Sequence, residues 1–139
     1  MPTTNAQRKN AIELLIGFNS TTEVYTLVNA NNEPVTFVDR IGGRPPLDVR
    51  WVIKNRAGHA ITVQLRNFAR GQNGLCPVSG GDIVGCEYES AAVANGGEIA
   101  VDSALVQDAG PNGYPYEVYV EHAETQVGNV IDPELQIDK

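Results

Sequence analysis

No stretch of this chain approaches the ~18 consecutive apolar residues that a membrane-crossing helix needs. Bases are scarce: 10 Lys and Arg stand against 17 Asp and Glu, a net charge of −7, with a pI near 4.7. Generic nucleic-acid binding wants a basic face, so the composition argues against it. Aromatics are only 6% of residues, with one Trp. A glycoside-cleaving site would need aromatic platforms beside paired carboxylates, and only the carboxylates are plentiful. Gly-x-Ser-x-Gly is absent, so a strained serine nucleophile has no support. Gly80-Gly81 and Gly96-Gly97 lack the lysine and the following helix of a phosphate loop. Residues 108–113 lack the alternating ligands of a calcium loop and read as a turn. No ten-residue window shows helical periodicity, apart from a short turn near residues 5–14.

What is present is alternation. The chain has 139 residues, 42% of them hydrophobic, enough for one domain with a core of its own. Residues 1–10 are polar and read as a flexible tail, which leaves 11–139 as a single domain. Residues 23–28 and 35–38 are β-rich around the turn chemistry of Asn29-Ala30-Asn31-Asn32-Glu33-Pro34, which predicts a hairpin. In 49–55 the odd positions are Val, Trp, Ile and Asn, with Arg50 and Lys54 on the other face. In 61–66 the odd positions are Ile, Val and Leu. Each strand therefore has one core face and one wet face. Trp51 falls on the core side. Residues 98–105, 116–121 and 135–137 complete the set. The pattern predicts an all-β fold, an antiparallel Greek-key β-sandwich of about seven strands.

Residues 69–97 are the least regular, with seven glycines in 29 positions. Long irregular loops in compact domains are usually functional or mobile. This one holds both cysteines, Cys76 and Cys86. Nine intervening residues suit neither a zinc knuckle nor a redox C-x-x-C pair. A disulfide closing the loop is the leading expectation, with two unpaired thiols as the alternative. A disulfide would imply an extracytoplasmic, virion or secreted setting; free thiols would suit the cytoplasm. No apolar leader core follows the charged start, so a leader is either trimmed or never present. Asn19-Ser20-Thr21 matches a glycosylation sequon.

Two segments carry a family resemblance. Val49-Arg50-Trp51-Val52-Ile53-Lys54-Asn55-Arg56-Ala57-Gly58-His59-Ala60-Ile61-Thr62-Val63 resembles the cupredoxin (plastocyanin-like) strand that ends in Asn, turns, and meets a His. Asn112-Gly113-Tyr114-Pro115-Tyr116-Glu117-Val118-Tyr119-Val120-Glu121-His122 resembles the Tyr-rich strand that runs into the family's metal loop. The match covers residues 49–65 and 110–137. It implies a cupredoxin-like sandwich, with an immunoglobulin-like one as the neighbouring choice. It also implies that His59 and His122 stand near the two histidine positions of a type-1 copper site. That site wants two His, a Cys thiolate and an axial Met. Val120 occupies the Cys position, Gln126 is nearest to the Met position, and the chain's one Met is Met1. The resemblance therefore implies the sandwich without its copper ligands Cys and Met. No cofactor is expected; the alternative is Cu or Zn weakly bound by His59 and His122, helped by Glu121 or Glu124.

Charge is distributed unevenly. Residues 1–70 hold nine bases and five acids, whereas 71–138 hold twelve acids and no Lys or Arg. Arg50, Lys54 and Arg66 lie on wet faces and are expected to form one basic patch. Asp102, Glu117 and Glu121 lie on wet faces of acidic strands. This dipolar pattern suits docking to a protein partner or to another copy of the chain. The expected function is a non-catalytic interaction or assembly module working through charged faces and the 69–97 loop. A metal-binding or redox role for the two histidines is the alternative. No nucleophile, base and oxyanion set is visible, and neither nucleic acid nor membrane insertion is expected.

Overall fold

The computed structural model describes residues 10–35, 38–42, 46–69, 74–106, 114–131 and 134–138. The expected tail lies outside them except for Asn10, as does the turn at 108–113. Every regular element among the described residues is a strand: β1 (Asn10–Asn19), β2 (Val24–Leu27), β3 (Val38–Gly42), β4 (Leu47–Arg56), β5 (Ile61–Arg66), β6 (Val78–Ser79), β7 (Tyr88–Glu89), β8 (Glu98–Leu105), β9 (Tyr114–Pro115), β10 (Glu117–His122), β11 (Gly128–Ile131) and β12 (Glu134–Asp138). The fold is an all-β sandwich. One sheet runs β2-β1-β4-β8-β6 and the facing one β11-β10-β5-β7. A smaller ladder, β3-β12-β9, completes the set.

Period-2 alternation decides which side chains go inside. Ile12, Leu14 and Ile16 from β1, Val49, Trp51 and Ile53 from β4, and Val101 and Leu105 from β8 meet Ile61, Val63, Leu65, Val118 and Val120 from the other sheet. Trp51 is fully buried, and its indole N–H donates to Tyr116 Oη at 3.0 Å. A polar tip buried this deeply needs such a partner. Phe68 stacks on Tyr116 with centroids 5.1 Å apart and meets Trp51 edge-on.

Alternation did not disclose several pairings. Residues 10–14 belong to a strand, not a helical turn, because Ile12 and Leu14 both enter the core. β1 lies parallel to β4, with Asn10 opposite Val49 and Gly17 opposite Arg56; β12 and β3 are also parallel. β2 pairs with β1, while among the described residues the chain beyond the 29–34 turn returns to β2 through the Val28–Pro34 bridge and the Val35 N–H to Leu27 O bond. β4 and β5 belong to different sheets, so the link between them crosses from one layer to the other.

The described part of the irregular segment, 74–97, is tied down. β6 pairs with β8 and β7 with β5. Ile83, Cys86 and Val93 join the core. Cys76 and Cys86 form a disulfide. Closing a loop this short is worth roughly 2–3 kcal/mol through the unfolded chain. Gly81, at φ 61°, lets the loop lie against the Asp102 carbonyl, where a Cβ would collide.

Candidate functional site

The two histidines, one in the β4–β5 link and one at the end of β10, lie together. Asn55, next to last in β4, is buried. Its Nδ2 donates to the carbonyls of His59 (2.8 Å) and Val93 (2.9 Å), and its Oδ1 accepts the Ala57 N–H (2.9 Å). One amide thus shapes the loop that presents His59. His122 ends β10 opposite Ile61. Its Nδ1 accepts the backbone N–H groups of Glu124 (3.1 Å) and Thr125 (3.4 Å). In the neutral ring the proton therefore sits on Nε2.

The imidazoles stack, with centroids 4.3 Å apart and planes 20° apart. Tyr25 Oη lies 2.5 Å from His59 Nε2. Phe18 stands edge-on to His59 at 4.9 Å. Asn129 fixes Tyr25 from the facing sheet: Oδ1 accepts the Tyr25 N–H (2.8 Å) and Nδ2 donates to its carbonyl (2.9 Å). Burial, and secondarily the charge of His122, hold His59 below the usual histidine pKa. Burial and the Glu121 carboxylate push the Tyr25 phenol up. The pair is thereby kept neutral near pH 7.

A type-1 copper centre needs a thiolate, and both cysteines are joined to each other. Val120, at the expected thiolate position, is wholly buried. Gln126 sits in the turn after His122, exposed and at φ 62°. His59 Nε2 faces Tyr25 and His122 Nδ1 faces backbone amides, so two of the four ring nitrogens are committed. The chemistry left to the two histidines is ligation by the other two nitrogens.

The charged residues form pairs, not one patch. Arg50 binds Asp102 through two hydrogen bonds of 2.6 and 3.1 Å. Lys54 meets Glu13 at 2.8 Å. Arg66 meets Glu117 at 3.3 Å and lies over the Tyr119 ring at 4.6 Å. Arg50 and Lys54 stand on one sheet and Arg66 on the other, because the β4–β5 link changes layer. Glu121 accepts hydrogen bonds from Thr62 (3.3 Å) and Tyr119 (3.1 Å).

Sequence reasoning missed an apolar depression beside the disulfide. It measures about 490 Å³, and Leu75, Cys76, Val78, Ile83 and Val106 are among its lining residues. Leu75 is 57% exposed, Val106 44%, and Val84, between two lining residues, 78%. Side chains of this size held out to solvent together mark an interaction surface more often than isolated ones do. Asp82 and Glu87, next in sequence to the lining residues Ile83 and Cys86, are exposed. The signal in the sequence was the set of apolar residues Leu75, Val78, Ile83 and Val84 beside and between the cysteines.

No family model matches the chain, and no curated protein matches it in sequence. Among solved structures it is similar to Fet3p, a multicopper oxidase that functions in iron import: 9% identity, TM-score 0.49, covering 91% of this chain and 28% of that one. It is also similar to a multicopper oxidase from Campylobacter jejuni, at 10% identity and TM-score 0.45, covering 96% of this chain and 27% of that one. A third is the McoA multicopper oxidase of Aquifex aeolicus, at 12% identity and TM-score 0.38, covering 97% and 31%. The chain spans less than a third of each. These similarities concern the arrangement of strands and say nothing of activity.

Proposed function

We propose that the chain is a non-catalytic interaction module, a cupredoxin-like sandwich without a copper site that docks a protein partner through its disulfide-tied loop. One observation carries this reading: Leu75, Val84 and Val106 are held in solvent around a depression that the Cys76–Cys86 bridge keeps in shape. The charged faces offer less, since Arg50, Lys54 and Arg66 already have carboxylate partners. Charge selects the occupant. Residues 71–138 contain no Lys or Arg, so two copies meeting through this face would bring acidic rims together. A partner with an apolar anchor and a basic rim is complementary.

The probe is a short labelled peptide of alternating leucine and lysine, followed by fluorescence anisotropy. Central apolar anchors often carry more than ~1–2 kcal/mol of binding, so the double variant Leu75→Ser/Val106→Ser should weaken the peptide about tenfold. Unchanged affinity in that variant would refute the assignment. A wild-type chain that self-associates more strongly at low salt than at high salt would favour assembly through charged faces instead.

A second reading has the stacking of His59 on His122 in its favour: weak binding of Cu or Zn by this pair. Micromolar Cu²⁺ or Zn²⁺ uptake by the wild-type chain, lost in both His59→Ala and His122→Ala, would support it. No uptake would remove it.

A further inference from the structure

Among the described residues, four Lys and Arg side chains can be followed. Three hold carboxylates: Arg50, Lys54 and Arg66. Arg56 meets no carboxylate there, in a molecule whose net charge is −7. Its one hydrogen bond is a long one, from a guanidinium nitrogen to the Ala30 carbonyl at 3.4 Å. Among the described residues, then, the exposed Arg56 guanidinium is open to an outside anion if its surroundings offer a place for one.

The surroundings supply one. Arg56 lies directly opposite Gly17 in the parallel β1–β4 register. Gly17 has no side chain to fill the space, and a Cβ there would come within 2.7 Å of Val28 Cγ1. Over this floor is a depression of about 400 Å³ whose walls include Asn19, Ser20, Thr26, Asn32 and Arg56. Asn19 Oδ1 is used by the N–H groups of Thr21 (2.9 Å) and Thr22 (3.1 Å). Its Nδ2 is therefore left to donate. Asn32 sits in the adjacent turn at φ 62°. Asn29 holds that turn by accepting the N–H groups of Asn31 and Glu33. The walls thus combine one positive guanidinium with neutral amides and hydroxyls, beside the apolar Phe18, Val28 and Pro34.

We propose that this depression binds a carboxylate-bearing, hydroxyl-rich small molecule of sugar-acid size, with Arg56 taking the carboxylate. A guanidinium fork matches a carboxylate with two parallel hydrogen bonds. The amides and hydroxyls suit ligand hydroxyls. The volume is within the range of small-molecule sites and is larger than a bare oxyanion requires. The site is separate from the disulfide-side depression, with which it shares no lining residue.

The test is an NMR titration of the full chain with glucuronate, glucose and inorganic phosphate in parallel. Glucuronate should shift the amides of Gly17, Asn19, Asn32 and Arg56 saturably. Arg56→Gln loses the charge-assisted bonds to the carboxylate and should weaken glucuronate at least about tenfold. Asn32→Gly keeps the turn conformation accessible while removing an amide, and should weaken it less. Glucose should bind at least about tenfold more weakly than glucuronate. Absence of saturable shifts would overturn the proposal, as would full affinity in a folded Arg56→Gln protein. Glucose as tight as glucuronate would overturn the role of charge. Phosphate as tight as glucuronate would overturn the sugar-acid class.

Discussion

Asn55 offers the sharpest test of how the loop that presents His59 is built. Its buried amide makes three hydrogen bonds, two donated to the His59 and Val93 carbonyls and one accepted from the Ala57 N–H. Asn55→Ala removes all three and leaves those backbone groups to find other partners. A typical bond contributes about 1 kcal/mol net, and a buried group left unpaired costs about 1–3 kcal/mol. Water can reach part of the exposed loop, so the expected loss is about 2–4 kcal/mol. For a domain of this size that corresponds to a fall in Tm of roughly 10 °C. Urea melts should show the midpoint falling with an unchanged slope. Asn55→Asp should be at least as damaging, because a carboxylate would face two carbonyls with nothing to donate. In both variants the imidazole of His59 should lose its position, and its pKa should move back toward the usual value. A loss below about 1 kcal/mol in both would refute the role given to this amide.

Other expectations follow from the same geometry. The His59 ring should titrate below the usual histidine value in a two-dimensional NMR pH series, because burial and His122 disfavour its charge. The sign is fixed: between the folded pKa and about 6.5 the unfolded chain binds more protons, so acidification through that window should lower stability. Changing His122 to Gln removes the neighbouring charge and should raise the His59 pKa; no movement would contradict the stack. Replacing Cys76 and Cys86 together by Ser should cost roughly 2–3 kcal/mol in a denaturant melt, and a neutral outcome would show that β6 and β7 alone hold the segment. Trp51→Phe removes the indole N–H that donates to Tyr116 Oη and shrinks a fully buried ring, and should destabilise by about 1–3 kcal/mol, read by thermal melting; an unchanged Tm would deny the indole its value.

The inward faces of β4 and β5 were legible from alternation, because a half-buried strand has one apolar side whatever it pairs with. The same period could not distinguish parallel from antiparallel neighbours, so the β1–β4 pairing was invisible. Nor could it show that β4 and β5 lie in different sheets, and the expected patch of Arg50, Lys54 and Arg66 fails for that reason. Resemblance to the cupredoxin pattern brought Asn55, His59 and His122 into view. Tyr25, Phe18 and Asn129, which complete the cluster, sit on strands that no local motif linked to the histidines. The Cys76–Cys86 bridge was the leading expectation from the looseness of its loop. The apolar depression beside it was not foreseen, since exposure of Leu75 and Val106 depends on how β6 docks on β8.

The most direct test of the docking surface is an NMR titration of the wild-type chain with the leucine–lysine peptide at physiological salt. If the disulfide-tied loop is the interaction site, saturable shifts will cluster on Leu75, Cys76, Ile83, Val84 and Val106 and will persist as salt is raised. Shifts spread over Glu117, Glu121 and the exposed acids, fading with salt and sparing Leu75 and Val106, would contradict it.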